Sequence, residues 1–88
     1  MLTAMLIDNV WATRKVESLN GLKFMQAELI GGGSSDGQRI IVVDTISAGI
    51  GDRVIVTQGS SARRMLGDDS IPVDAVVVGI IDADCDFE

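Results

Sequence analysis

Residues 39–57 read RIIVVDTISAGIGDRVIVT, two runs of β-branched residues on either side of a short stretch that contains two glycines. The first run, Arg39 to Ile46, is too apolar to have one fully solvated face. The second run, Arg53 to Thr57, has the length of a short strand. Ser47 to Asp52 between them has the composition of a turn. This stretch therefore predicts two strands joined by a turn, and it favours a mainly β fold.

The same reading predicts three further strands and one short helix. The helix follows from Gly59 to Leu66, where a serine that can cap precedes good helix formers and Gly67 ends the run. The other strands are Met1–Thr13, Leu22–Ile30 and Val73–Asp82. Five short strands with one short helix before the last strand predict a small closed barrel, which removes exposed sheet edges by curling.

Two of these strands depart from strict alternation of apolar and polar residues. Leu6 and Ile7 are both apolar, which fits either a strand buried on both sides or a β-bulge. In the second strand the period of two slips once, between Phe24 and Met25.

The segments between the strands are expected to be loops. Thr13 to Gly21 is polar and ends in a turn-forming Asn-Gly pair, and Gly31 to Gly37 holds four glycines and predicts a mobile hairpin connection. The acidic tail after Ile81 alternates apolar and acidic residues. It could extend the fifth strand or be a solvated terminus.

Composition bounds the size and class of the protein. The chain has 88 residues, 47% of them apolar and 23% charged, so it is expected to fold as one domain over residues 1–88. A domain this small buries only about 60% of the surface that its unfolded chain exposes. With one cysteine and no histidine, neither a disulfide nor a structural zinc site is available within the chain. Association with other copies is therefore the expected source of additional stability.

The charge balance argues against some classes of partner. Thirteen acidic against seven basic residues give a net charge of −6, which disfavours nucleic acid and anionic membranes. The longest apolar run, Ala75 to Ile81, is far shorter than the roughly 20 residues of a membrane span, and no leader pattern is seen. We expect a soluble cytoplasmic protein.

Catalytic groups are scarce. Without histidine, the common Ser-His and Cys-His nucleophiles cannot form within one chain, and we expect no catalytic residue, cofactor or metal. Acid–base work by aspartates such as Asp44 or Asp74 is the weakest hypothesis, since acids at strand ends are usually turn formers. Cys85 lies among acids that disfavour its thiolate, so it is expected to be inert. Trp11 is expected to anchor the core or an interface.

One segment could bind a partner. Ser60, Ser61 and Arg63 stand at the start of the predicted helix, where hydroxyls and a guanidinium could converge on a small anionic metabolite. The same segment could instead contact another protein, or simply be a capped helix with solvated arginines.

Several short motifs in order resemble one protein family along nearly the whole chain, to Asp82. They are Asn9-Val10-Trp11-Ala12-Thr13-Arg14-Lys15, Leu19-Asn20-Gly21-Leu22-Lys23, Val43-Asp44, Ala48-Gly49-Ile50-Gly51-Asp52-Arg53-Val54, Gly59-Ser60-Ser61-Ala62-Arg63, Pro72-Val73-Asp74-Ala75 and Val78-Gly79-Ile80-Ile81-Asp82. In this order they resemble the bacterial microcompartment vertex proteins, the carboxysome and ethanolamine-utilisation shell family.

The resemblance implies a five-stranded barrel related to the oligonucleotide/oligosaccharide-binding type, and a structural role without catalysis. It implies a homopentamer that caps the vertices of a polyhedral shell against hexameric shell proteins, with six copies in vitro as an alternative. It places a subunit contact at the turn formed by Ala48, Gly49, Gly51 and Asp52, tied by Asp52. It places the contact with the hexameric tiles at Ser60, Ser61, Ala62 and Arg63, and it allows an ion pair between Lys15 and Asp44.

Overall fold

In the computed structural model, residues 1–11, 17–19, 21–31, 34, 36–67 and 73–81 are described, and within them five strands close into a barrel. The order around the barrel is β1-β2-β3-β5-β4. A short 3-10 turn, Glu17–Leu19, precedes β2. The elements are β1 Leu2–Val10, β2 Lys23–Ile30, β3 Arg39–Asp44, β4 Arg53–Gln58, α1 Ser60–Met65 and β5 Ala75–Ile80. The mainly β fold, with one short helix before the last strand, is confirmed.

One parallel contact closes the barrel. The β1–β2, β2–β3, β1–β4 and β4–β5 pairs are antiparallel, whereas β3 and β5 run parallel. The parallel pair is short, with Val43 beside Val76 and Asp44 beside Val77. Because β4 and α1 lie between β3 and β5 in sequence, they form the crossover that a parallel pair requires.

The barrel interior is filled by small and branched aliphatic side chains and one methionine. Alternate residues of each strand point inward, as period-two strands require. The buried members of this interior cluster are Ala4, Leu6, Met25, Ala27, Leu29, Val42, Ala48, Val54, Val56, Ala75 and Val77. Ala48 comes from the β3–β4 connection, so that connection covers the barrel interior at one end.

A second apolar cluster lies on the outer face and explains the slip in β2. Phe24 pairs with Val43 while Met25 pairs with Val42, so the two apolar neighbours of β2 face opposite sides. Met25 packs inside the barrel, and Phe24 packs outside with α1. The buried residues of this outer cluster are Val43, Ala62, Val73 and Val76, with Leu19, Leu22, Phe24 and Leu66 partly buried against them.

The adjacent apolar pair in β1 marks a bulge. Leu6 pairs with Ala27 and Asp8 pairs with Gln26, which leaves Ile7 as the extra residue. Of the two readings of this strand, the bulge is confirmed. A second irregularity in the β4–β5 ladder leaves Val78 unpaired between Gly79 and Val77. Bulges increase local twist, which a barrel of five strands needs in order to close.

Three expectations fall wholly or partly outside the described residues. The tail after Ile81 and Lys15 lie outside them, so neither the two readings of the tail nor the Lys15–Asp44 ion pair can be compared with the structure. The segment from Gly31 to Gly37 is described in part and connects β2 to β3, with hydrogen bonds between Leu29 and both Gly37 and Gln38. Among the described residues, no helix combines the length and the apolar character of a membrane-spanning segment.

Candidate interaction surfaces

The β3–β4 loop, residues 45–52, is anchored at its start by a buried carboxylate. Asp44 ends β3, and its Oδ1 accepts a hydrogen bond from the Ile46 amide at 3.0 Å. Lys23 on the neighbouring strand places Nζ 3.3 Å from Asp44 Oδ2. The same Nζ donates to the Ala48 carbonyl at 3.0 Å. One ammonium therefore joins the strand end to the middle of the loop.

The second half of the loop is closed by Asp52. Its Oδ2 accepts from the Gly49 amide at 2.8 Å, and its own amide donates to the Gly49 carbonyl at 3.1 Å. The loop is also joined to β1, since the Gly51 amide donates to the Leu6 carbonyl and the Leu6 amide donates to the Asp52 carbonyl. The prediction that Asp52 ties this turn is confirmed.

Two backbone conformations in the loop are unusual. Gly51 has φ 90°, a region that costs a residue with a Cβ about 1–2 kcal/mol. Ser47 has φ 62° and is the one non-glycine residue in the described part of the chain with a positive φ. Backbone strain of this kind persists where surrounding contacts hold it, and it is concentrated at functional segments.

The four residues predicted for subunit contact at this loop differ in exposure, and the contact itself stays a prediction. Ala48 is only 2% exposed and belongs to the barrel interior, so its side chain cannot reach a neighbour. Gly51 is exposed, while Gly49 and Asp52 are half-buried. An added Cβ at Gly49 would lie no closer than 3.8 Å to another atom, so within one chain neither glycine serves a close backbone approach.

Sequence reasoning did not single out two exposed apolar residues of this loop. Ile46 and Ile50 are both exposed, the latter by 58%. A signal was available, because two isoleucines inside a turn of otherwise small and polar residues have no strand alternation to bury them. The loop is thus a hydrogen-bonded support that holds two apolar side chains in solvent.

The helix differs from the prediction at its start. The N-cap position is Gly59, with φ 66° and ψ −142°, and no side chain caps the helix. The expected serine cap is therefore wrong, because Ser60 is already the first helical residue. Ala62, predicted to contact a shell tile, has no exposed surface and packs in the outer cluster. Its side chain is therefore not accessible in a single copy, and the tile contact of this segment stays a prediction.

The exposed and half-buried residues of α1 lie on two sides. Helical spacing puts Ser60 and Arg63 together on one side. The same spacing puts Ser61, Arg64 and Met65 together on the other. An open groove of about 390 Å³ follows the second side, lined by Met1, Thr57, Ser61, Arg64, Met65 and Val78. We call it the helix-side groove; the sequence analysis did not identify it.

The remaining hypotheses about chemistry find little support in the described part of the chain. Asp44 is engaged with Lys23 and the Ile46 amide, so it is not free for acid–base work. No group of three or more metal-ligating side chains is found among the described residues. Ser60 and Ser61 are exposed, and neither side chain caps the six-residue helix.

Trp11 follows β1 and is 89% exposed, so it is not a core residue. Of its two predicted roles, packing in the core is wrong, and that of an interface anchor stays a prediction. It lies at the edge of a second groove, between the end of β1 and the start of β2.

Comparison with known proteins gives consistent matches. The family model described as ethanolamine utilisation protein EutN/carboxysome matches residues 1–82. The chain is 48% identical over 77 residues to the bacterial microcompartment shell vertex protein GrpN of Rhodospirillum rubrum, covering 86% of each chain. It is 39% identical over 74 residues to the carboxysome shell vertex protein CcmL of Gloeobacter violaceus, covering 83% of this chain and 74% of the relative.

A solved structure agrees over the full length. The pentameric shell protein MSM0273 from the RMM microcompartment superposes with a TM-score of 0.84 at 33% identity. The superposition covers 100% of this chain and 98% of that chain. The fold and the sequence are therefore both similar to those of microcompartment shell proteins.

Proposed function

Since this chain belongs to the ethanolamine utilisation protein EutN/carboxysome family, we propose that five copies form a ring that occupies a vertex of a bacterial microcompartment shell. The observation that carries the proposal is the full-length match to a pentameric shell protein, at a TM-score of 0.84. The family model and the barrel cover nearly the same residues, which supports one vertex domain over residues 1–88. The role is structural, as it is for the named relatives, and not enzymatic.

The physical state of a single copy supports association. The barrel interior is small, and several large apolar side chains lie outside both clusters and face solvent. Covering such side chains against another copy adds apolar burial that one small domain cannot supply. A ring also makes stability depend on protomer concentration, as expected for an obligate oligomer.

The β3–β4 loop is the proposed subunit contact, through its exposed and half-buried members Gly49, Gly51 and Asp52. Hydrogen bonds to Lys23, Asp44 and Leu6 already hold this loop in one conformation. A segment fixed before binding loses little conformational entropy when it binds, so more of the contact energy appears as affinity.

The proposed contact with hexameric tiles uses the side of α1 that carries Ser60 and Arg63. Arg63 is half-buried, and a guanidinium can donate two parallel hydrogen bonds to a carboxylate of another protein. A heterologous contact between copies closes into a ring when its rotation closes, and five-fold rings allow a sheet of six-fold tiles to curve shut.

The native mass of the purified protein tests the ring. One chain has a mass of 9.3 kDa, so five copies give about 47 kDa and six copies about 56 kDa. We expect about 47 kDa by native mass spectrometry and by light scattering at two protein concentrations. A mass of 9.3 kDa at both concentrations would overturn the proposal, and about 56 kDa would overturn the number five.

A further inference from the structure

Exposed apolar side chains gather at the two ends of β4. The β3–β4 loop enters β4 and carries Ile46 and Ile50, whereas α1 leaves β4 and carries Met65, which is 57% exposed. Met1 lies on the helix side too, where it lines the helix-side groove with Met65. Six residues of strand separate the two ends by about 20 Å. A single chain cannot cover one group with the other.

A closed ring of identical subunits needs two different contact surfaces on each copy. In a heterologous interface, each copy uses one surface toward its neighbour on one side and a different surface toward the other. The loop projects apolar side chains, and the groove is a concave surface with apolar walls. The projecting loop and the concave groove are therefore complementary in shape, and they lie at opposite ends of β4.

We propose that Ile50 of one copy inserts into the helix-side groove of the next copy, between Met65 and Met1. The inference rests on the proposed ring and names the surfaces that make it. The proposal also assigns the two sides of α1 to different contacts. Ser61, Arg64 and Met65 serve the ring, and Ser60 and Arg63 serve the contact with tiles.

Charge supports this pairing of surfaces. The chain carries a net charge of −6, so copies repel each other unless local opposite charges meet. Arg64 lines the groove and is exposed. Asp52 stands two residues from Ile50, and its Oδ2 accepts a hydrogen bond from the Gly49 amide. With Ile50 in the groove, Asp52 and Arg64 of adjacent copies come together at its rim.

The remaining exposed isoleucine of β3 provides the control. Ile41 is 49% exposed, similar to Ile50, but it lies in the middle of a strand and outside both the loop and the groove. A substitution there adds the same polar group to a comparably exposed site. A loss of native mass in the Ile50 variant but not in the Ile41 variant is therefore evidence for the contact between copies. It cannot be explained by a general loss of apolar surface.

The experiment is disulfide trapping in a Cys85→Ser background, with Ile50→Cys paired with Met65→Cys and, in a second variant, with Ser61→Cys. After mild oxidation of the assembled protein, we expect a ladder of covalent multimers up to five on a denaturing gel. Each single cysteine variant, and Ile41→Cys paired with Met65→Cys, should give no ladder. In parallel, Ile50→Asp should lower the native mass at a dilution where the wild type and Ile41→Asp stay at about 47 kDa.

The outcomes separate the inference from the proposed ring. A wild-type mass of about 47 kDa without a ladder from either pair, although the cysteines react with a thiol reagent, overturns this contact and leaves the ring in place. An Ile50→Asp variant that dissociates no more readily than Ile41→Asp also overturns it. A wild-type protein of 9.3 kDa overturns the ring and, with it, the contact.

Discussion

Lys23 and Asp44 lie directly opposite each other on β2 and β3, and the Lys23 ammonium stands 3.3 Å from Asp44 Oδ2. The Asp44 side chain is fully buried, while that of Lys23 is 47% exposed. Lys23 also donates to the Ala48 carbonyl, and Asp44 accepts from the Ile46 amide. This pair is therefore the joint between the barrel and the β3–β4 loop.

Removing the ammonium should destabilise the fold. Asp44 Oδ2 is buried and accepts no hydrogen bond from the described groups, so the Lys23 ammonium compensates its charge, and Lys23→Met leaves a buried carboxylate without that counter-charge. An unsatisfied buried polar group costs about 1–3 kcal/mol, with more for a charged one and less where the lost partner is half exposed. We expect a loss of about 1–3 kcal/mol in the free energy of unfolding, measured by urea denaturation at one fixed protomer concentration.

Adding Asp44→Asn to that variant is the matched control. An amide keeps an oxygen for the Ile46 amide and removes the uncompensated charge, so the double variant should lose less than the sum of the single losses. Additive losses within about 0.5 kcal/mol would mean that the two side chains are not coupled.

The two glycines of the loop should respond differently to alanine. Gly51 has φ 90°, whereas Gly49 has an ordinary φ and room for a Cβ. Gly51→Ala is expected to cost about 1–2 kcal/mol of unfolding free energy, from the steric penalty of the left-handed region. Gly49→Ala should change it by less than about 0.5 kcal/mol. Thermal and urea unfolding of both variants check this, and equal losses would contradict it.

The start of α1 gives a similar contrast. Ser60 makes no cap, so Ser60→Ala should change stability by less than about 0.5 kcal/mol, where a true cap would lose about 1 kcal/mol. Gly59→Ala should cost about 1–3 kcal/mol, because Gly59 has φ 66° and ψ −142°, a conformation that is essentially restricted to glycine. Circular dichroism during urea unfolding measures both. A larger loss for Ser60→Ala than for Gly59→Ala would be inconsistent with a glycine N-cap.

Much of the fold could be predicted because burial in a barrel leaves a clear pattern in sequence. Val42 and Val54 lie in apolar runs bounded by turns, and the apolar pair Leu6 and Ile7 signalled the bulge. The parallel contact between β3 and β5 could not be predicted. It depends on how the crossover through β4 and α1 packs, and no local period encodes that.

The interaction surfaces were predicted less completely, for a physical reason. Ala48 and Ala62 belong to the motifs that placed the contacts, yet both are core residues. A motif shows which residues stand together in sequence but not which of them face outward. The exposed apolar residues Ile50 and Met65 lie at the two ends of β4, and only the three-dimensional structure relates them to each other.

Reversing the charge of Arg63 should separate ring formation from shell closure. Arg63 lies with Ser60 on the side of α1 away from the helix-side groove, so Arg63→Glu should keep the native mass near 47 kDa. The change puts an anion in the last turn of the helix, so the unfolding free energy should fall by no more than about 1 kcal/mol. When the variant is coexpressed with hexameric tiles, electron microscopy should show open sheets or tubes. The tile surface that contacts the Arg63 guanidinium would then face a carboxylate, which weakens the contact. Arg39→Glu makes the same change in net charge at an exposed site on β3, and it should leave closed shells. Closed shells with Arg63→Glu, at the frequency seen for Arg39→Glu, would remove Arg63 from the tile contact and leave the ring untouched.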